Sequence, residues 1–182
     1  MLLVFLTIML CFLYSLLILY YRKSWSDIPD FISSNDAHPR TSITVIIPAR
    51  NEEKNIPACI QSLMLQTYPH HLWEAIIVDD HSTDRTAEIV QSVKKENISV
   101  ISLQHVLNSK EIIAAHKKRG IEAGIKKAAG ELIVTTDADC TFYPGWLHTI
   151  ASFYQQYKPS FIAAPVAFTN ENSFLKIFQS LD

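Results

Sequence analysis

Two carboxylates one residue apart, Asp137 and Asp139, stand where an apolar run ends, in the string TTDADC. Hard carboxylate oxygens at that spacing suit Mg²⁺ or Mn²⁺, the usual counterions of a diphosphate. A turn leading into a helix would use the same residue type, since Asp is common at both places. A second pair, Asp79 and Asp80, ends another apolar run and leads into HSTD. A strand-end carboxylate there can accept from a nucleobase N–H or a ribose hydroxyl, whereas Ser82 to Asp84 also resemble the start of a helix. Capping does not explain the pair itself, because adjacent like charges repel unless a cation or a donor sits opposite. A third polar cluster, Pro48, Ala49, Arg50, Asn51, Glu52 and Glu53, follows the first apolar run. Pro48 has no N–H and ends a strand, and the rest also fits a solvated loop entering a helix. In HKKRG, Lys117 and Arg119 can donate charge-assisted bonds to phosphate, and they equally suit a basic helix surface. His70, His71, His81, His105 and His148 show no metal-ligand spacing and are read as structural or exposed.

These clusters need a scaffold, and from Ile43 onward the chain supplies one by alternating short β-branched runs with stretches of helical period. That is the pattern of an α/β fold with a mostly parallel sheet. Strands are expected at Ile43 to Ile47, Ala75 to Val78, Ile98 to Ser102, Leu132 to Thr136 and Phe161 to Val166. Crossover helices are expected at Ile56 to Leu65, Thr83 to Lys95, Lys117 to Ala129 and Pro144 to Tyr157, with lysines near several C-terminal ends where cations favour the dipole. In open α/β sheets ligands bind beyond the carboxyl ends of the strands, where the strand order reverses. The three acidic or polar clusters follow the first, second and fourth strands, so all three belong to one sheet edge.

The whole chain has 182 residues, a formal net charge of -2 and 48% hydrophobic residues. No run of Lys and Arg is long enough to track a phosphate backbone, so nucleic acid is not an expected partner. The 4 glycines form neither G-x-G-x-x-G nor a Walker loop, which excludes the familiar dinucleotide and P-loop fingerprints. Cys11, Cys59 and Cys140 are scattered and odd in number, fitting a reducing compartment and no structural zinc. Residues 1–21 carry no charge and rise, as a helix, roughly the thickness of a bilayer's hydrocarbon core. They read as a single-pass anchor rather than a cleaved signal peptide, which would want a basic start and a small-residue cleavage site. Arg22 and Lys23 follow the span and nothing basic precedes it, so the positive-inside rule places the remainder in the cytoplasm, at a plasma or inner membrane. Residues 22–41, with Pro29 and Pro39, read as a juxtamembrane connector, and 42–182 as the folded domain.

In their order, TVIIPARNEE, AIIVDDHSTD and KKRGIEAGIKKAAGELIVTTDADC resemble the family 2 glycosyltransferases of the GT-A, nucleotide-diphospho-sugar fold. The resemblance covers Ser42 to about Val166. It implies that the loop Pro48, Ala49, Arg50, Asn51, Glu52 frames a nucleotide, and that of Asp79 and Asp80 the second contacts the base. It implies further that the DXD signature, Asp137, Ala138, Asp139, serves ribose and metal, with Asp139 the chief metal ligand and Asp137 beside it. Lys117 takes the place of a basic residue near the diphosphate. The implied partners are a nucleotide-diphospho-sugar donor, a glycan or lipid-linked acceptor and the membrane; the implied cofactor is Mg²⁺ or Mn²⁺. The sequence departs from the pattern at His81 and Arg85, where small residues or glycine are usual, and at His116, where a glycine is common. His81 is expected to take a left-handed conformation, which His tolerates better than most residues.

An inverting transfer needs a stabilised leaving diphosphate, a positioned anomeric carbon and a carboxylate base at the acceptor hydroxyl. The family's base lies in an acidic motif well after DXD, and its processive members add a Q-x-x-R-W motif. Neither precedes Asp182, and Glu171 is not assigned the base, so the domain is read as the donor-binding part of a longer one. Two other readings compete: a membrane-anchored module that binds the nucleotide-sugar without transfer, and a haloacid-dehalogenase-type phosphatase, whose D-x-D-x-T string Asp137, Asp139 and Thr141 fit. The phosphatase motif belongs after the first strand of its domain, whereas here three strands precede it.

Overall fold

Burial on both faces explains why β1, Ile43–Ala49, is almost wholly apolar: Val45, Ile46 and Ile47 are 0% exposed. The computed structural model describes residues 1–33, 39–93, 95–103, 116–164 and 166, and only the backbone of 116 and 117. After β1 come α2 (Ile56–Met64), a short 3₁₀ turn (His70–Leu72), β2 (Trp73–Asp79), α3 (Thr86–Ser92), β3 (Ile98–Ser102), α4 (His116–Lys127), β4 (Leu132–Thr135) and α5 (Trp146–Tyr157), all preceded by α1 (Leu2–Ser26). The 4-stranded sheet has the order β3-β2-β1-β4, and each pairing is parallel. The chain first builds outward from β1 to β3, then returns to the other side of β1. The strand order therefore reverses between β1 and β4.

Alternate residues of the strands feed two cores. Ile43, Val45, Ile47, Ala75 and Ile77 pack in the larger one with Ile56, Cys59, Ile60 and Leu63 of α2 and Leu147 and Ala151 of α5. Ile46, Ile76 and Val78 face the other way, with Leu103, just after β3, and Ala123 of α4. On that second face α4 comes very close. A Cβ on Gly124 would lie 2.5 Å from Ile46 Cγ2, so only glycine fits there. At the opposite edge from the cleft residues, Thr44 Oγ1 donates to Glu74 Oε1 at 2.7 Å and accepts from Gly130 N at 2.8 Å, tying the approach to β4 to β1.

Two expectations need correction. No strand forms over 161–164 or at 166: among the described residues nothing offers this segment a ladder, and Phe161 and Val166 are 84% and 78% exposed. Helix α3 starts at Thr86 rather than Thr83, because the side chains of Ser82 to Asp84 are committed to another loop, and it ends at Ser92. Helix α1 runs from Leu2 through Arg22 and Lys23 to Ser26.

Helix α1 has 25 residues, is exposed along its length and is long and apolar enough to cross a membrane. Its Thr and Ser hydroxyls in the apolar stretch bond back along the helix, Thr7 Oγ1 to Leu3 O at 3.0 Å and Ser15 Oγ to Cys11 O at 2.8 Å. Neither donor is then left to an apolar surrounding. The following segment docks on α5: the Phe31 ring meets Phe153 edge-on with centroids 5.1 Å apart, and Ser33 Oγ donates to Ser152 Oγ at 3.0 Å.

Candidate functional site

A cleft of about 320 Å³ opens at the carboxyl edge of the sheet and is lined by Pro48, Ala49, Arg50, Glu52, Asp80, Asp137, Ala138 and Asp139. It sits where the strand order reverses. The end of β1 forms its middle, joined to one neighbour by Asp80 N donating to Ala49 O at 2.9 Å and to the other by Thr136 N donating to Ile46 O at 3.1 Å. Ala138 is only 2% exposed and packs in the larger core, which leaves the flanking Asp137 and Asp139 exposed. The spacing of those two carboxylates thus follows from one buried methyl between them.

Not every residue singled out from the sequence lines this cleft. Asp79 is 1% exposed at the end of β2, and Asn51 faces the loop after that strand. Lys117 stands in the first turn of α4, and its side chain lies outside the described residues. One turn further on, a Cβ on Gly120 would sit 3.5 Å from Pro48 Cβ, so the start of α4 lies at the rim of the cleft.

Of the adjacent pair Asp79 and Asp80, the second has cationic and donating neighbours. Arg50 Nη1 is 3.9 Å from Asp80 Oδ2, with the Asp80 side chain 6% exposed and that of Arg50 49%. His81 Nδ1 lies 3.0 Å from Asp80 Oδ1, where an ionised carboxylate can only accept and the ring must donate. His81 takes φ 56°, the left-handed conformation expected of it. Ser82 N is 3.4 Å from Asp79 Oδ1, while Asp79 Oδ2 is buried without a hydrogen-bond partner among the described residues.

The sequence reading passes over what Ser82 to Thr86 do. These residues face the loop after β1: Ser82 Oγ accepts from Asn51 N at 3.1 Å, Thr86 Oγ1 from Glu52 N at 2.7 Å and Asp84 Oδ2 from Glu53 N at 3.1 Å. Arg85 Nε adds an ion pair with Glu53 Oε2 at 3.5 Å. Partial burial pulls the Asp84 carboxyl upward, but bonds from the Thr86 hydroxyl and from the N–H groups of Thr86 and Glu53 outweigh it and hold it below its ordinary value. The signal was present in the sequence as oxygen-bearing side chains at 82, 83, 84 and 86, read there only as a helix start.

The donor set suits a hard divalent cation. Asp137 and Asp139 offer carboxylate oxygens in an open cleft, and among the described residues no three His, Cys, Asp or Glu side chains form a closed cage. Mg²⁺ and Mn²⁺ bind in this way, through one or two carboxylates with substrate phosphates and water completing the shell. Below the cleft the Cys59 thiol is pushed up to about 12, first by burial and then by Cys140 and Asp139.

Residues 44–181 match the family described as Glycosyl transferase family 2. Glycosyltransferase AglE of Haloferax volcanii is 29% identical over 136 residues, 71% of this chain and 41% of that protein. A dolichyl N-acetyl-alpha-D-glucosaminyl phosphate 3-beta-D-2,3-diacetamido-2,3-dideoxy-beta-D-glucuronosyltransferase of Methanococcus voltae is 31% identical over 117 residues, 64% of this chain and 35% of that protein. The crystal structure of Staphylococcus aureus TarS, residues 1–349, superposes with a TM-score of 0.56 at 26% identity, covering 71% of this chain and 40% of that one. TarS has also been solved in complex with UDP and with UDP-GlcNAc. The chain spans less than half the length of each of these relatives. With the family match running from the second residue of β1 past α5, over the GT-A sheet and every residue that lines the cleft, the chain belongs to glycosyl transferase family 2.

Proposed function

We propose that the protein transfers a sugar, with inversion, from a nucleotide-diphospho-sugar to a glycan or lipid-linked acceptor, and that this chain carries the donor-binding part. The observation that carries the reading is the two-sided cleft, with Asp80 on one side of β1 and Asp137 and Asp139 on the other. One side suits a nucleobase and the other a cation with its diphosphate. The UDP and UDP-GlcNAc complexes of TarS support a nucleoside diphosphate as the ligand. The Methanococcus voltae relative, named for a dolichyl-phosphate-linked sugar, supports a lipid-linked acceptor.

In this reading Asp80 accepts a base N–H, held in place by Arg50 and His81. Pro48 and Ala49 form the floor, while Arg50 and Glu52 frame the nucleoside. Asp137 and Asp139 hold the cation, Asp137 also reaching ribose, and Lys117 donates to the diphosphate. The cation, when bound, supplies positive charge to the departing diphosphate. The carboxylate base for the acceptor hydroxyl is not assigned to any described residue, and Glu171 lies outside them. Helix α1 spans the membrane, with Arg22 and Lys23 on the cytoplasmic side.

Titration calorimetry of the full chain with UDP tests the donor site. Binding is expected to require Mn²⁺ or Mg²⁺, to disappear in Asp139→Ala and to weaken in Asp80→Ala. Equal affinity in the presence of a chelator would remove the metal from the reading.

A further inference from the structure

The loop that frames the cleft is held from behind. Asn51, Glu52 and Glu53 present three successive backbone N–H groups, and each meets a side-chain oxygen from the loop after β2 or from the first residue of α3. The contacts also run in the other direction, with Asn51 Oδ1 accepting from Thr83 N at 2.8 Å and Glu53 Oε2 from Arg85 N at 3.2 Å. None of Ser82, Thr83, Asp84 or Thr86 lines the cleft, yet the residues they hold adjoin Arg50 and include Glu52, which do. Asn51 has φ 56°, a left-handed conformation that Asn enters more readily than most residues and that turns its side chain toward Thr83 N. A helix start needs only local capping; these bonds instead join two strand-end loops.

We propose that Ser82 to Thr86 form a positioning segment that pre-sets Arg50 and Glu52 for the donor nucleotide. The inference rests on the reading of the cleft as a nucleotide site. Thr86 is its central member: it is 0% exposed, accepts from Glu52 N at 2.7 Å and donates to Asp84 Oδ1 at 2.5 Å. One hydroxyl therefore connects the N–H of a cleft residue to the carboxylate that holds the next N–H. A loop ordered in advance loses less freedom when ligand binds, and that saving appears as affinity.

Thr86→Val keeps the shape and removes the hydroxyl, while Thr86→Ser keeps the hydroxyl. Amide hydrogen exchange and UDP titration with Mn²⁺ on the full chain separate the roles. For Thr86→Val we expect exchange at Asn51 to Glu53 to quicken about tenfold and UDP to bind about tenfold more weakly, with β1 and β2 amides unchanged. Thr86→Ser should restore both. Asn51→Gly, which keeps the left-handed backbone but loses the bond to Thr83, should quicken the same amides and weaken UDP several-fold even if Thr86→Val fails to fold. Wild-type exchange and affinity in both Thr86→Val and Asn51→Gly would overturn the proposal, as would equal damage in Thr86→Val and Thr86→Ser with loosened β1 and β2. If the wild-type chain binds no UDP, the nucleotide reading fails, while protected amides at 51–53 that Thr86→Val releases would still uphold the cross-loop hold.

Discussion

Asp84 and Cys140 give the cleft two chemical handles. The Asp84 carboxyl sits below its ordinary value of 3.8, so its stabilising contribution is complete above that value and is lost as pH falls through the lower folded value. Amide protection at Asn51 to Glu53, corrected for intrinsic exchange, is expected to stay flat down to about pH 4 and to collapse only in stronger acid. In Asp84→Asn it should be weak at every pH, because the amide nitrogen or the single remaining oxygen cannot serve all three donors. The cysteines offer a contrast that needs no mutation. Cys59 is 0% exposed with its thiol pushed up to about 12, whereas Cys140 is half-buried with Sγ 3.8 Å from Asp139 Oδ1. Iodoacetamide near pH 8 should modify Cys140 and spare Cys59, and UDP with Mn²⁺ should slow the reaction, as peptide mass spectrometry would show. The acidic residues were legible because carboxylates at strand ends are conspicuous. The hold exerted by Ser82 to Thr86 was not, since Ser, Thr and Asp use the same side-chain oxygens to cap a helix as to grip a second loop.

Between elements, the tightest contact is that of α4 with β1. Gly124→Ala places a methyl against the branched, fully buried Ile46 and is expected to cost about 1–3 kcal/mol, read as a lower urea midpoint at unchanged slope. Gly120→Ala meets Pro48 at an ordinary 3.5 Å and should be neutral or stabilising, since alanine favours the helix. Strands β1 to β3 were legible because buried parallel strands read as unbroken β-branched runs; β4 was found by the same pattern. The same rule misleads at Phe161 to Val166. An apolar run states that a segment would be comfortable as a strand, but pairing also requires a neighbour, and neighbours are set by tertiary structure. Helix α3 fails for the converse reason, its first expected turn being drawn away by Asn51 and Glu53.

At the scale of the molecule, the segment that follows α1 is held to the domain by more than covalent chain. Phe31 packs against Phe153 and Tyr157, and Ser33 bonds Ser152 and lies 3.0 Å from His148 Nδ1. Phe31→Ala should free residues 28–33 from α5, seen as faster exchange in that segment with UDP affinity unchanged. Protease added to intact inverted vesicles should reach the domain; protection there would reverse the proposed orientation. The last consequence belongs to β1, which is hydrogen-bonded to β2 on one side and β4 on the other. Asp80 and the Asp137–Asp139 pair therefore hang from strands two spacings apart, roughly 10 Å. In the proposed donor site the sheet would act as a caliper, so that a ligand too short to span it meets one jaw only.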